Sequence, residues 1–173
     1  MAISEGSHIC RSVLALHDRR QAIWITVQRP MTDGVVTIRP WEAGDSARLI
    51  AGRDEEWSRW LGPGSYDPRP TACIVVAGEV VGWVDFDADR EWLQSGEVNI
   101  GYNVFAPHRG KGYASRAVEL LILYLGESTA FDTATILIQP DNAASLEVAA
   151  KCGFAPNGEI EMSRHFKRGL ENA

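Results

Sequence analysis

The amino-acid sequence predicts an α/β protein with a mixed sheet, and two strand-to-helix units that contain glycine are the main observations behind this prediction. In residues 97–125, an alternating strand runs through a glycine-rich loop into an apolar helix. In residues 133–154, a buried strand stops at a proline and a short helix follows. With the flanking segments, the predicted order is β-α-α-β-β-β-α-β-α-β. This order places helices against a sheet that contains both parallel and antiparallel strands.

Length and composition describe one ordinary domain of 173 residues, with 45% hydrophobic and 23% charged residues. The net charge of −6 argues against nucleic acid as a partner, because binding to a phosphate backbone needs a basic surface. No apolar run approaches the ~18 residues that a membrane helix needs, so no membrane contact is predicted. The three cysteines are scattered without metal-ligand spacing, which predicts no metal site and a reducing, cytoplasmic location.

Residues 1–34 differ from the rest of the chain, because they carry more arginines than acidic residues while the remainder is acidic. One interpretation is an unstructured leader, since Met31 could itself begin a chain. The other is that Ala22–Val27 adds one edge strand to the sheet. We therefore predict a separate N-terminal extension at residues 1–34 and a domain at residues 35–173.

The sequence of the first half of this domain predicts a strand, two helices and a hairpin that turns at Ala77-Gly78. The second helix carries Trp57 and Trp60 three residues apart. These side chains either pack on the core or form a substrate wall beside Tyr66. In chain order, the elements are a strand at 35–41, a helix containing Leu49, a helix at 55–61, and hairpin strands at 71–77 and 79–85.

The second half begins with a strand whose side chains alternate with period two up to Val104. A helix follows from Tyr113 to Leu125 and is apolar on one broad face, as expected of a helix packed on a core. A buried strand at Thr135–Ile138 and a short helix come next, and Gly153 has the position of a helix C-cap. Weak alternation at 159–166 predicts one last strand.

The loop before Tyr113 has the properties of an anion site. Gly110 and Gly112 allow a ligand to approach the backbone, and the first amides of the following helix have no internal partners. Phosphate is the commonest ligand of such a helix start. A Walker P-loop string is missing, and Ser115 stands where a dinucleotide-binding fingerprint needs glycine or alanine at its third position.

Two motifs indicate which phosphate binds. The string R-x-x-G-x-A, from Arg109 to Ala114, resembles the pyrophosphate loop of the GNAT superfamily of acyl-CoA N-acyltransferases. The string N-x-x-S…K-x-G-F, from Asn142 to Phe154, resembles the unit that closes the CoA site in that superfamily. The resemblance covers about residues 35–173 and is greatest to the branch of ribosomal-protein N-terminal acetyltransferases. It implies a GNAT-like mixed, mostly antiparallel central sheet of six to seven strands with splayed central strands, flanked by about four helices.

The resemblance also implies a set of residues that bind acetyl-CoA. Main-chain groups of Tyr102, Asn103 and Val104 would hold the pantetheine arm, and the Val104 amide would stabilise the oxyanion of the thioester. Asn142 would contact the arm, cap its own helix, or do both. The pyrophosphate would be bound by the loop and helix start, namely Arg109, Gly110, Lys111, Gly112, Tyr113, Ala114 and Ser115.

The catalytic residues depart from the pattern of the superfamily. Many members have a tyrosine where this chain has Ala149, so the departing thiolate needs another proton donor. Ser145 is the substitute that the resemblance implies, although a serine is also ordinary in a first helical turn. Members of the branch often carry a glutamate as base where this chain has an asparagine. Glu97 is therefore the first candidate for the base, ahead of Asp85 and Asp87, and each of these is otherwise a surface carboxylate in a salt bridge.

These observations predict an N-acetyltransferase that moves an acetyl group from acetyl-CoA to a primary amine by direct attack in a ternary complex. The acceptor would be a small molecule or a peptide N-terminus, no metal would be needed, and the protein would be a monomer or a homodimer. The alternative is a CoA-binding regulatory module without turnover. A nucleotide-binding oxidoreductase is disfavoured, because the repeated strand-helix units and the ribose-binding acid are missing.

Overall fold

The computed structural model of the protein describes residues 26–171, and their framework is one eight-stranded sheet. In chain order the strands are β1 (Met31–Thr32), β2 (Thr37–Arg39), β3 (Ala72–Val76), β4 (Glu79–Asp87), β5 (Glu97–Val104), β6 (Thr133–Ile138), β7 (Ala155–Ile160) and β8 (Ser163–Gly169). Their order in the sheet is β1-β2-β3-β4-β5-β6-β8-β7. Neighbouring strands are antiparallel except for β5 and β6, which run parallel.

Four α-helices flank the sheet in the described residues, as the sequence predicts. They are α1 (Asp45–Ala51), α2 (Glu55–Leu61), α3 (Tyr113–Ser128) and α4 (Ala143–Lys151), and a 3₁₀ turn at Ala106–His108 precedes α3. The predicted α/β class and the mostly antiparallel sheet are confirmed. The sheet has eight strands rather than six to seven, because of the short β1 and an additional strand near the C-terminus.

The broad apolar face of α3 packs against the middle of the sheet. Leu121 and Leu125 are buried there in one cluster with Val84 of β4 and Val98 of β5. Burying a leucine side chain contributes about 1.5–3 kcal/mol to stability, so this contact fixes the helix firmly on the sheet. The same contact fixes the glycine loop, because α3 begins directly after it.

The predicted last strand at residues 159–166 is wrong, because this stretch contains the turn of the β7–β8 hairpin. The turn residues Glu161 and Met162 have φ angles of 50° and 63°. Glycine or asparagine usually occupies such left-handed positions. Since neither residue type stands here, the sequence carries no signal of the turn, and two strands read as one.

The boundary predicted between residues 34 and 35 stays a prediction, and the described end of the extension contacts the sheet. Residues 26–34 belong to the edge of the fold, where Met31 pairs with Ile38 of β2. Val27 is fully buried, and its amide donates to the Thr71 carbonyl at 3.2 Å. The edge strand predicted at Ala22–Val27 lies outside the described residues except for its last two positions, which are not in a strand.

Candidate active site

Strands β5 and β6 separate in the middle of the sheet. They pair only from Glu97 to Asn99, where Asn99 lies opposite Thr135. Beyond that point β5 continues to Val104 and β6 continues to Ile138 without pairing to each other. A cavity of about 500 Å³ lies at this gap, a volume typical of ligand sites.

The register of β5 decides which main-chain groups face the gap. Val104 lies opposite Gly82 of β4, and the next amide, that of Phe105, donates to the Val81 carbonyl at 2.8 Å. Hydrogen bonding alternates along an antiparallel pair, so the main chain of Asn103 faces β4. The main-chain groups of Tyr102 and the amide of Val104 therefore face the gap.

The prediction for the main chain of Asn103 is thus wrong, because its groups pair with β4. Its side chain does line the cavity and is buried. Tyr102 and Val104 also line the cavity, and both have the main-chain orientation that an extended ligand needs to add a strand.

The glycine loop leaves open space beside the start of α3. Gly110 and Gly112 have φ angles of 71° and 77°, and no atom of the described residues lies within 4 Å of where a Cβ would stand. No side chain caps the helix, so the amides of its first turn face the cavity without a side-chain partner. Tyr113, Ala114 and Ser115 supply these amides, and the positive end of the helix dipole adds to their attraction for an anion. Lys111 is exposed and does not line the cavity.

The first turn of α4 borders the other side of the gap. The side-chain oxygen of Asn142 accepts a hydrogen bond from the Ser145 amide at 3.1 Å, so Asn142 is the N-cap of α4. Both residues line the cavity. Ala149 is buried in the core, so no side chain at this position reaches the gap.

The side chain of Tyr102 is a cavity residue that sequence reasoning missed, since only its main chain was considered. Its phenol oxygen lies 3.5 Å from the carbonyl oxygen of Ser145, in the first turn of α4. Burial raises the pKa of this phenol to about 12, so it stays protonated in neutral solution. The alternation of β5 predicts that Tyr102 points inward, but only the fold shows that it ends beside Ser145.

The side chain of Arg109 does not point to the phosphate loop. Its guanidinium is bound to the carboxylates of Asp54, the N-cap of helix α2, and Glu56, in the first turn of that helix. It is also bound to the carbonyl of Val104. Arg109 is predicted as the first residue of the pyrophosphate loop, and in the structure its side chain is used by these contacts instead. The two carboxylate partners could not be predicted, because they lie more than fifty residues away in the chain.

Glu97 does not line the cavity, so the prediction that it is the catalytic base does not fit the geometry. Its buried carboxylate forms an ion pair with Lys167 of β8, at the end of β5 where β5 and β6 are still paired. Asp85 and Asp87 do not line the cavity either. The carboxylate of Asp85 accepts hydrogen bonds from the amide and the hydroxyl of Thr71, and Asp87 forms an ion pair with Arg90.

Helix α2 forms an aromatic wall on the cavity, made of Trp57 and Trp60, and Leu61 of the same helix also lines the cavity. Trp57 is 7% exposed, so it packs on the protein as well as lining the cavity, and the two interpretations of this residue are compatible. Tyr66 is 99% exposed and lies outside the wall.

The charges of the cavity are paired. Its two carboxylates in the described residues are Glu56, which is bound to Arg109, and Glu147, which is bound to Lys151. No group of three or more possible metal-ligating side chains occurs in residues 26–171. None of the helices in this range is long and apolar enough to cross a membrane.

Comparisons with known proteins agree with this geometry. Residues 69–155 match the family model described as an acetyltransferase (GNAT) domain. A protein of Bacillus licheniformis named "Uncharacterized N-acetyltransferase p20" is 33% identical over 81 residues, which are 46% of this chain and 44% of that protein. This chain therefore aligns with less than half the length of that relative.

Two solved structures share the fold. The aminoglycoside acetyltransferase AAC(6')-Ib in complex with coenzyme A superposes with a TM-score of 0.68 and 18% identity, over 78% of this chain and 94% of that one. The ribosomal L7/L12 alpha-N-protein acetyltransferase RimL, also in complex with coenzyme A, gives a TM-score of 0.69 and 15% identity, over 83% and 98% of the chains. Because the family model covers half of its length, the chain belongs to the GNAT acetyltransferase domain family.

Proposed function

We propose that this protein transfers the acetyl group of acetyl-CoA directly to a primary amine, with the α-amine of a peptide N-terminus as the acceptor. The observation that supports this most is the gap between β5 and β6 beside the uncapped start of α3. A pantetheine arm fits along β5 as an extended strand, and pyrophosphate fits the amides of the helix start. The coenzyme A bound to both structural neighbours supports the same donor.

The reaction needs an oxyanion site and a proton donor. The thioester oxygen would accept a hydrogen bond from the Val104 amide, which stabilises the negative charge that develops in the transition state. The amine nitrogen bonds to the carbonyl carbon, the carbon–sulfur bond breaks, and coenzyme A leaves as a thiolate that takes up a proton. Ser145 and Tyr102 carry hydroxyl groups at the α4 side of the gap, and either can donate to the sulfur.

The paired charges of the cavity favour an acceptor of low pKa. Glu56 and Glu147 each form an ion pair with a neighbouring cation, which weakens both carboxylates as bases for a strongly basic amine. At pH 7 about a tenth of an α-amine with a pKa of ~7.9 is neutral, against roughly one in two thousand lysine side chains with a pKa of ~10.4. An α-amine can therefore attack without a strong base, and water in the cavity takes its proton to solvent. That RimL is an alpha-N-protein acetyltransferase supports the same acceptor class.

Acetyl-CoA should stabilise the protein against unfolding. At ~100 times its dissociation constant the expected gain is roughly 2.7 kcal/mol, measured by denaturant unfolding. Gly112→Asp should abolish the gain, because it places a carboxylate against the pyrophosphate. Gly34→Asp is the matched control, since Gly34 also has a positive φ and open space but does not line the cavity. A parent protein whose unfolding is unchanged by acetyl-CoA would contradict the proposal.

Turnover then identifies the acceptor. Release of coenzyme A is measured with N-terminal peptides, the same peptides blocked at the α-amine, lysine and an aminoglycoside. The expected result is turnover with free N-termini only. Binding of acetyl-CoA without turnover of any amine would instead support the regulatory CoA-binding module.

A further inference from the structure

The side chain of Arg109, directly before the glycine loop, donates four hydrogen bonds. Its Nε donates to the Val104 carbonyl oxygen at 2.8 Å. Its Nη1 and Nη2 donate to the two carboxylate oxygens of Asp54 at 2.6 and 3.0 Å, and Nη1 also donates to Glu56 at 2.7 Å. Four of the five N–H groups of the guanidinium are thus used, and one remains for a phosphate.

Asp54 connects this contact to helix α2. It is the N-cap of the helix, and its Oδ1 also accepts the Trp57 amide at 2.8 Å. The helix has seven residues, which is too short to be stable without tertiary contacts. The orientation of its cavity side chains, Trp57, Trp60 and Leu61, therefore depends on how the helix is held.

We propose that Arg109 is a positioning residue that joins α2, and with it the aromatic wall, to the end of β5 where the acetyl group is bound. This inference rests on the proposed function, because it assigns the wall to the acceptor amine. A bidentate arginine–carboxylate pair has a fixed geometry, and the third bond to Val104 ties that pair to the strand of the oxyanion site. Loss of the contact misplaces the acceptor and leaves the donor site intact.

The charges of the pair support a contact that persists in neutral solution. The hydrogen bond to Arg109 is the largest cause that holds the pKa of Asp54 below its ordinary value. The hydrogen bond to Asp54 likewise raises the pKa of Arg109. Both groups are therefore charged at the pH at which the transfer is measured.

Asp54→Asn is the sharpest test, because asparagine is as good an N-cap as aspartate while the ionic contact to Arg109 is lost. We expect the KM for the acceptor to rise roughly tenfold, as for the loss of a charged hydrogen bond, with the dissociation constant of acetyl-CoA within twofold of the parent. Arg109→Gln should behave in the same way, and Arg109→Lys should not restore the KM, because lysine lacks the planar fork.

Arg48→Gln is the matched control. Arg48 also binds a main-chain carbonyl, that of Val80, and a carboxylate, that of Glu79, but it does not line the cavity. This variant should leave both constants unchanged.

The opposite pattern would overturn the inference. If Arg109→Gln weakens acetyl-CoA binding tenfold while Asp54→Asn changes nothing, the guanidinium binds pyrophosphate. Amide hydrogen exchange of residues 55–61 reports how firmly Arg109 holds α2, independently of activity. The exchange should accelerate in Asp54→Asn and Arg109→Gln but not in Arg48→Gln. A parent protein without turnover would contradict the proposed function. Unchanged exchange of α2 in Asp54→Asn and Arg109→Gln would instead contradict the positioning role of Arg109.

Discussion

At the scale of single residues, two hydroxyls are candidates for the proton donor to the coenzyme A thiolate in the proposed reaction. The phenol of Tyr102 reaches further from its backbone than the hydroxyl of Ser145, and a phenol is the stronger hydrogen-bond acid. Its 3.5 Å contact with the Ser145 carbonyl is too long for a full hydrogen bond, so the phenol O–H can turn to a sulfur in the gap. Burial raises the pKa of the phenol to about 12, so Tyr102 stays protonated in neutral solution, and we propose it as the donor to the leaving sulfur.

Tyr102→Phe should therefore lower kcat by about 10–100-fold, the low end for acid catalysis, with the dissociation constant of acetyl-CoA unchanged. Ser145→Ala should change kcat by less than about threefold, because the phenol remains. Tyr124→Phe is the control, since this buried tyrosine binds the Gln28 amide outside the cavity. If instead Ser145→Ala lowers kcat and Tyr102→Phe leaves it unchanged, the serine is the donor.

Local features of single residues were predictable, and distant contacts were not. The left-handed glycines Gly110 and Gly112 and the helix start at Tyr113 follow from a few adjacent residues. The contact between Arg109 and Asp54 joins residues fifty-five positions apart, and only the folded chain brings them together. A loop motif in sequence therefore gives no indication that its arginine is used elsewhere.

At the scale of elements, an ion pair holds the closed end of the β5–β6 junction. Glu97 of β5 and Lys167 of β8 form this ion pair across β6, the strand between them. In the sheet, Glu97 lies opposite Thr133 of β6, and Lys167 lies opposite Thr135 of β6. The carboxylate also accepts the Gln94 amide at 3.1 Å. Alternation along β5 cannot show this, because β8 pairs with β6 only after the chain has folded. Glu97 therefore has the contacts of a structural residue.

This pair should contribute to acid sensitivity. Burial acts to raise the pKa of Glu97, but the hydrogen bonds from Lys167 and the Gln94 amide lower it overall. A carboxylate whose pKa is depressed in the folded state stabilises above its unfolded pKa of 4.5, and this stability is lost as the pH falls through the folded value.

Glu97→Gln should lower the free energy of unfolding by about 1–3 kcal/mol at pH 7. The difference from the parent should shrink as the pH falls below about 4.5, as measured by urea unfolding between pH 3 and pH 7. Glu147→Gln is the control, because its pair with Lys151 is exposed and contributes little. A difference that is constant across this range would mean that charge is not the cause.

At the scale of the whole molecule, the sheet consists of two parts joined through a short junction. Strands β1 to β5 form one part and β6 to β8 the other, and three residue pairs of β5 and β6 connect them directly. Helix α3 packs across β5 and contacts α4, so helices complete the connection. The order of elements along the chain predicts a mixed sheet, but not where pairing stops, because that depends on the relative twist of strands from distant segments.

Acetyl-CoA should complete this junction, and amide hydrogen exchange can show where. If the pantetheine arm binds as a strand, the amides of Tyr102 and Val104 should exchange about a hundredfold more slowly at ~100 times the dissociation constant. The amides of Gly101 and Asn103 should change less, because the register already pairs them with β4. Adenosine diphosphate has the pyrophosphate without the arm, so it should protect only residues 113–115. If acetyl-CoA protects all four amides equally, or does not protect those of Tyr102 and Val104, the arm does not lie in the gap.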